Sequence, residues 1–161
     1  MKNEQNKECD FDNVHIKSLT THQDERGFFR EILRIPNGSN LLENTIGQIS
    51  HSEVYPGIVK AWHGHVNQYQ WTYIIKGILM VALADKRKNS STYNKVYSFI
   101  CGGINKPIVY GFPPGVYHGY RNLGDTCQIT YFTSGQYDIN DELRIDPFSD
   151  EIKFNWSLKY K

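Results

Sequence analysis

From Val14 to Phe132 short apolar-alternating runs follow one another at close spacing, and no stretch sustains a helical period. Strands are expected at 32–35, 46–49, 57–59, 71–75, 78–83, 95–100, 108–110 and 128–132. These runs are rich in Ile, Val, Tyr and Phe, side chains that suit a pleated, half-buried surface. Turn residues cut them apart, among them Asp24 to Gly27, Pro36 to Gly38, Lys76-Gly77, Gly102-Gly103 and Pro113 to Gly115. Many short strands with no helices between them imply an all-β, single-domain sandwich or jelly-roll β-barrel. A short helical turn is expected at 140–143, and residues 1–13 read as a polar tail or an arm lent to a neighbour, ahead of one domain at 14–161.

Length and charge narrow the function classes only a little. At 161 residues the chain can bury one real core. Lys and Arg number 18 against 17 Asp and Glu, so neither nucleic acid nor an anionic membrane is indicated as a partner. The N-terminal stretch is polar, without a secretory apolar core, and no run approaches the ~18 apolar residues of a membrane span. Cys9, Cys101 and Cys127 form no CxxC pair; an odd, sparse set suits reduced packing thiols in a cytoplasm.

Chemistry concentrates in the histidines. His63 and His65 stand at i and i+2, so a strand would project both from one face. Gln70 and Gly77 follow, and His118 arrives later in the segment Pro113 to Asn122. A barrel would bring these segments into one cavity. Three histidines with Gln70 would suit a divalent metal. One histidine would equally serve as a metal-free general base, and a hydrogen-bonded polar interior is the plainest alternative.

The spacing resembles the two cupin motifs. Gly57, His63, His65 and Gly77 fit the first, with Gln70 where the acidic ligand usually stands. Pro113, Gly115, His118 and Asn122 fit the second, whose first glycine is missing. Further segments are similar to the dTDP-4-dehydrorhamnose 3,5-epimerase family. Asp24 to Glu31 matches D-x-R-G-x-F-x-E, and Gln48 to Ser52 matches Q-x-N-x-S with Ser50 for Asn. Gly57 to His63, Ala84 to Thr92, Pro114 to Tyr120, Tyr131 with Tyr137, and Asp150 to Trp156 continue the series in order, over nearly the whole chain.

That resemblance implies an isomerase, an epimerase of a nucleotide-linked 4-keto-6-deoxy sugar at C3, C5 or both, in activated deoxysugar or polysaccharide biosynthesis. It implies no cofactor and no metal. His63 is then the base and Tyr131 the acid, with Asp150 as the carboxylate that orients His63 and Asp146 as its rival. Arg26 would contact the diphosphate, and Phe29 and Glu31 the nucleotide, both supplied by the other subunit of a homodimer. Gln48, His118 and Tyr137 would line the sugar pocket, His118 near the keto oxygen. Core packing for Phe29 and a surface ion pair for Glu31 are the bland alternatives.

Departures from the family pattern suggest a different sugar or a single epimerised carbon. Lys60 stands for an arginine, Gln70 for a lysine, and Ser50 and His65 for amides. Three other functions compete. The segment Gln136 to Arg144 is similar to the tail of sugar-nucleotide 3,4-ketoisomerases, in which His63 and His65 would act as a pair. A metal-dependent cupin enzyme and a catalytically silent sugar-binding barrel complete the set.

Overall fold

The computed structural model describes residues 8–34, 46–104 and 106–157. The strands are β1 (His15–Ser18), β2 (His22–Asp24), β3 (Gly27–Phe29), β4 (Gln48–Val54), β5 (Val59–His65) and β6 (Gln70–Lys76). They continue with β7 (Ile78–Asp85), β8 (Val96–Gly102), β9 (Ile108–Phe112), β10 (Val116–Asn122), β11 (Cys127–Thr133) and β12 (Glu142–Arg144). Two five-stranded antiparallel sheets result, β1-β9-β6-β11-β4 and β12-β5-β10-β7-β8, with β2 and β3 as a separate hairpin. The all-β jelly-roll expectation is met.

Between the sheets, apolar side chains from several strands meet in one core. Leu79, Val81 and Leu83 of β7 are fully buried, together with Val54, Tyr110, Phe112, Val116 and Ile129 from other strands. Each such aliphatic side chain contributes about 1.5–3 kcal/mol by leaving water. Gly77 makes the tight β6–β7 turn at φ +96°, a backbone state that side-chain-bearing residues avoid; a Cβ there would also lie 2.8 Å from the Cys127 backbone. Along β4 the alternation turns polar: Gln48, Ser50 and Ser52 are sheltered while Ile49, His51 and Glu53 are exposed. The barrel is therefore apolar at one end and wet at the other.

The outer faces are covered by chain without strand structure. On the second sheet Trp62 packs against Trp156 and Phe154, with ring centroids 5.0 and 6.0 Å away. On the first, Leu19, Trp71, Tyr73 and Val109 gather Ile32 and Leu33. Residues 32–34 are thus not the strand expected at 32–35; they bury their apolar side chains by packing rather than by pairing, and residue 35 lies outside the described residues, as does the turn expected at Pro36 to Gly38.

Two further expectations are corrected. The helical turn at 140–143 is instead a tight turn, closed by Asp141 N–H donating to the Asp138 carbonyl at 3.1 Å, that leads into β12. Just before β1, Phe11 and Asp12 are anchored to the barrel, whereas residues 1–7 lie outside the described residues. Phe11 is 4% exposed within the core, and Arg87 donates to the Asp12 carbonyl at 2.7 Å. β10 was not among the expected runs because His118, Gly119 and Arg121 break its apolar pattern.

Candidate active site

At the wet end a cavity of about 280 Å³ opens between the two sheets. The first sheet lines it with Gln48, Ser50, Ser52, Gln70, Tyr131 and Thr133. The second contributes Lys60, His63, His65, His118, Tyr120 and Glu142. The cupin spacing therefore does what it promised, since β5 and β10 pair with His63 directly opposite His118. Gly64 is needed between the two β5 histidines, because a Cβ there would lie 2.9 Å from the Tyr117 ring on the outer face.

His63 projects inward from β5, and its Nδ1 lies 2.9 Å from Glu142 Oε1. Arg144 holds the other oxygen of that carboxylate at 3.1 Å. Burial pushes the Glu142 carboxyl upward, but the bonds from Arg144 and His63 outweigh it and hold the group below its ordinary range. An ionised carboxylate only accepts, so the neutral His63 ring would carry its proton on Nδ1 and leave the Nε2 lone pair toward the cavity. That is the protonation pattern of a general base.

The carboxylate beside His63 is thus Glu142, not Asp150. The Asp150 side chain is 97% exposed, 3.5 Å from Lys153. Asp146 accepts the Phe148 N–H at 2.8 Å in a turn and is no partner either. The available signal was the segment Gln136 to Arg144, which ends in β12; its pairing sets Arg144 opposite His63 and brings Glu142 alongside.

His65 shares the face of His63 and has its own carboxylate. Asp141 Oδ2 lies 3.2 Å from His65 Nδ1, and Asp141 also accepts the N–H groups of Asn67 at 2.7 Å and Gln68 at 3.3 Å. Burial lowers the pKa of His65 despite that neighbour. His118 is 8% exposed and its ring centre is 6.0 Å from those of His63 and His65 and 4.5 Å from Phe112. Burial above all, then its two histidine neighbours, hold it neutral, and its buried Nδ1 has no hydrogen-bond partner among the described residues.

Across the cavity, Tyr131 meets Ser52 Oγ at 3.0 Å and the Tyr120 hydroxyl at 3.1 Å. Burial raises its pKa although both hydrogen bonds pull the other way, so the phenol keeps its proton at neutral pH. Gln48 donates to Ser50 Oγ at 2.7 Å and accepts the Tyr137 N–H at 2.9 Å, tying the loop after β11 to β4. Tyr137 lies at the mouth, 67% exposed, and Lys60 brings a cation to the second wall. Gln70 is buried and turned along its own strand to Thr72 at 3.0 Å.

Arg26, Phe29 and Glu31 do not line this cavity. Arg26 sits at the tip of the β2–β3 hairpin, paired with Asp24 at 2.5 Å and 82% exposed. Phe29 is 68% exposed, and Glu31 pairs with Arg34 at 2.5 Å. Among the described residues, no group of three or more His, Cys, Asp or Glu side chains is arranged to hold a metal ion. No helix among them is long and apolar enough to cross a membrane. Cys9, Cys101 and Cys127 are free thiols.

Comparison with known proteins agrees with this architecture. Residues 8–161 match the model of the dTDP-4-dehydrorhamnose 3,5-epimerase family. The spore coat polysaccharide biosynthesis protein SpsL of Bacillus subtilis is 42% identical over 154 residues, covering 93% of this chain and 99% of that one. A probable low-salt glycan biosynthesis epimerase of Haloferax volcanii is 29% identical, covering 91% of this chain and 94% of that one. Among solved structures, a dTDP sugar isomerase from Desulfovibrio desulfuricans superposes with a TM-score of 0.81 at 24% identity, over 91% of this chain and 92% of that one. The latter likeness speaks to the fold. The family match over nearly the full length settles the classification: the chain belongs to the dTDP-4-dehydrorhamnose 3,5-epimerase family, a family of sugar-nucleotide isomerases.

Proposed function

We propose that the protein epimerises a nucleotide-linked 4-keto-6-deoxy sugar at C3, C5 or both, in activated deoxysugar or polysaccharide biosynthesis. One observation carries the reading: the His63–Glu142 pair and Tyr131 stand on opposite walls of a single cavity. His63 Nε2 removes the proton alpha to the keto group, and the C–H electrons pass into an enolate whose charge rests on the 4-oxygen. Glu142 stabilises the imidazolium so formed. Tyr131 then gives its proton to the other face of the same carbon, which inverts it. Lys60 and the neutral His118 are the groups available to the enolate oxygen.

The nucleotide is held in part by Arg26, Phe29 and Glu31 of a second subunit. This reading is supported by the place of Arg26 and Phe29 on a hairpin, with Glu31 just after it, that leaves its own chain's cavity alone. The protein works as a homodimer in the cytoplasm, a setting that the free thiols suit. Its partner is a nucleotide-diphosphate sugar, and nothing in the mechanism calls for a cofactor.

A second reading is favoured by the His65–Asp141 pair. Two histidines on one wall, each with a carboxylate from the 136–144 tail, fit a sugar-nucleotide 3,4-ketoisomerase. The readings part at Tyr131, which that isomerase does not use.

The test is solvent exchange. In heavy water the protein should place deuterium at C3 or C5 of a thymidine-diphosphate-linked 4-keto-6-deoxy sugar, with inversion seen by NMR. No exchange into any of a panel of such sugars would make the barrel a binding module and overturn the proposal.

A further inference from the structure

His65 is a polar group on the reacting wall that the proton transfers between His63 and Tyr131 leave unused. Its geometry fixes what it can do. Asp141 accepts from two backbone N–H groups as well as lying 3.2 Å from His65 Nδ1, so it is an acceptor toward the ring and puts the ring proton on Nδ1. On the other side, the Gln68 amide nitrogen lies 3.4 Å from His65 Nε2, and an amide nitrogen only donates. Both contacts agree that Nε2 is an unprotonated acceptor. Gln68 also lines the cavity, and its contact with Nε2 is long enough to yield to a better donor.

Asp141 is 8% exposed, so the pair sits where water competes weakly for Nε2. Resting on the epimerase reading above, we infer that His65, positioned by Asp141, reads a hydroxyl of the sugar near the reacting carbon by accepting its hydrogen bond. It is a specificity-determining residue, and the substrate class it selects is a 4-keto sugar that keeps a free hydroxyl on the His63 side, at C2 or C3. A deoxy sugar would leave Nε2 facing only the displaced Gln68 amide. Burial holds the ring neutral, which keeps the acceptor lone pair free at working pH.

The experiment is calorimetric binding in the His63→Asn protein, where no turnover confuses the reading. The probes are thymidine-diphosphate-linked 4-keto-6-deoxyglucose and its 2-deoxy and 3-deoxy counterparts. With His65 intact, one deoxy counterpart should bind roughly 10- to 100-fold more weakly than the full sugar. In His63→Asn/His65→Leu that preference should fall to near unity. Equal binding of all three probes with His65 intact, or a preference that survives His65→Leu, overturns the inference. Binding of none of them instead removes the substrate assignment on which it rests. Should the leucine variant fail to fold, nitrogen-15 NMR of the His63→Asn protein decides: His65 must show a protonated Nδ1 and a bare Nε2. The reverse tautomer would overturn the acceptor role.

Discussion

A single hydrogen bond decides which tautomer His63 presents to the cavity. Glu142 accepts the hydrogen bond of Nδ1–H at 2.9 Å and so directs the Nε2 lone pair of the neutral ring to the cavity. Glu142→Gln can present an amide N–H to Nδ1 and move the proton to Nε2. That substitution should lower kcat on the order of 10²- to 10⁴-fold with little change in unfolding free energy, measured by steady-state kinetics and urea titration. Asp150→Asn should leave kcat within about twofold and stability within about 0.5 kcal/mol, since its side chain stands in solvent. The opposite ranking would return the orienting role to Asp150. The histidines themselves were legible from spacing alone, because i and i+2 on a strand must share a face. Their carboxylates were not, because they reach β5 through a turn and a three-residue strand with no periodic signature.

Elements of this barrel are held from outside as well as from within. β5 carries His63 and His65 inward while Trp62, between Ala61 and His63, is buried on the outer face under Trp156, Phe154 and Ile152. The closing segment is thus a strap over the back of β5. Ile145 exchanges two backbone hydrogen bonds with Trp62, at 2.9 and 3.1 Å, which extends the β12 pairing. Trp156→Ala should cost about 3–5 kcal/mol of unfolding free energy by urea titration, and a loss below about 1 kcal/mol would deny the strap its structural role. Strands rich in apolar and aromatic residues, such as β6, β7 and β11, matched their sequence expectations to within a residue or two. β10 escaped because its cavity-facing residues are polar by function, and 32–34 was misread because an apolar run can be satisfied by packing as well as by pairing.

Over the whole molecule, two sheets bring His63 and Tyr131 to opposite walls of one cavity, the arrangement that the proposed inversion at a carbon needs. The barrel class and the family were legible because turn spacing and ordered motifs run along the chain. For the β2–β3 hairpin only the family resemblance pointed to a role; within its own chain it leaves the cavity alone. The central claim is that Tyr131 protonates the face opposite His63. It is tested by position-resolved deuterium incorporation into a 4-keto-6-deoxy sugar nucleotide by wild type, His63→Asn, Tyr131→Phe and His65→Asn. No exchange is expected without His63, and exchange without inversion is expected in Tyr131→Phe, because the proton is removed but returned only to its original face. Full inversion in Tyr131→Phe, with turnover lost only in His65→Asn, would contradict that claim.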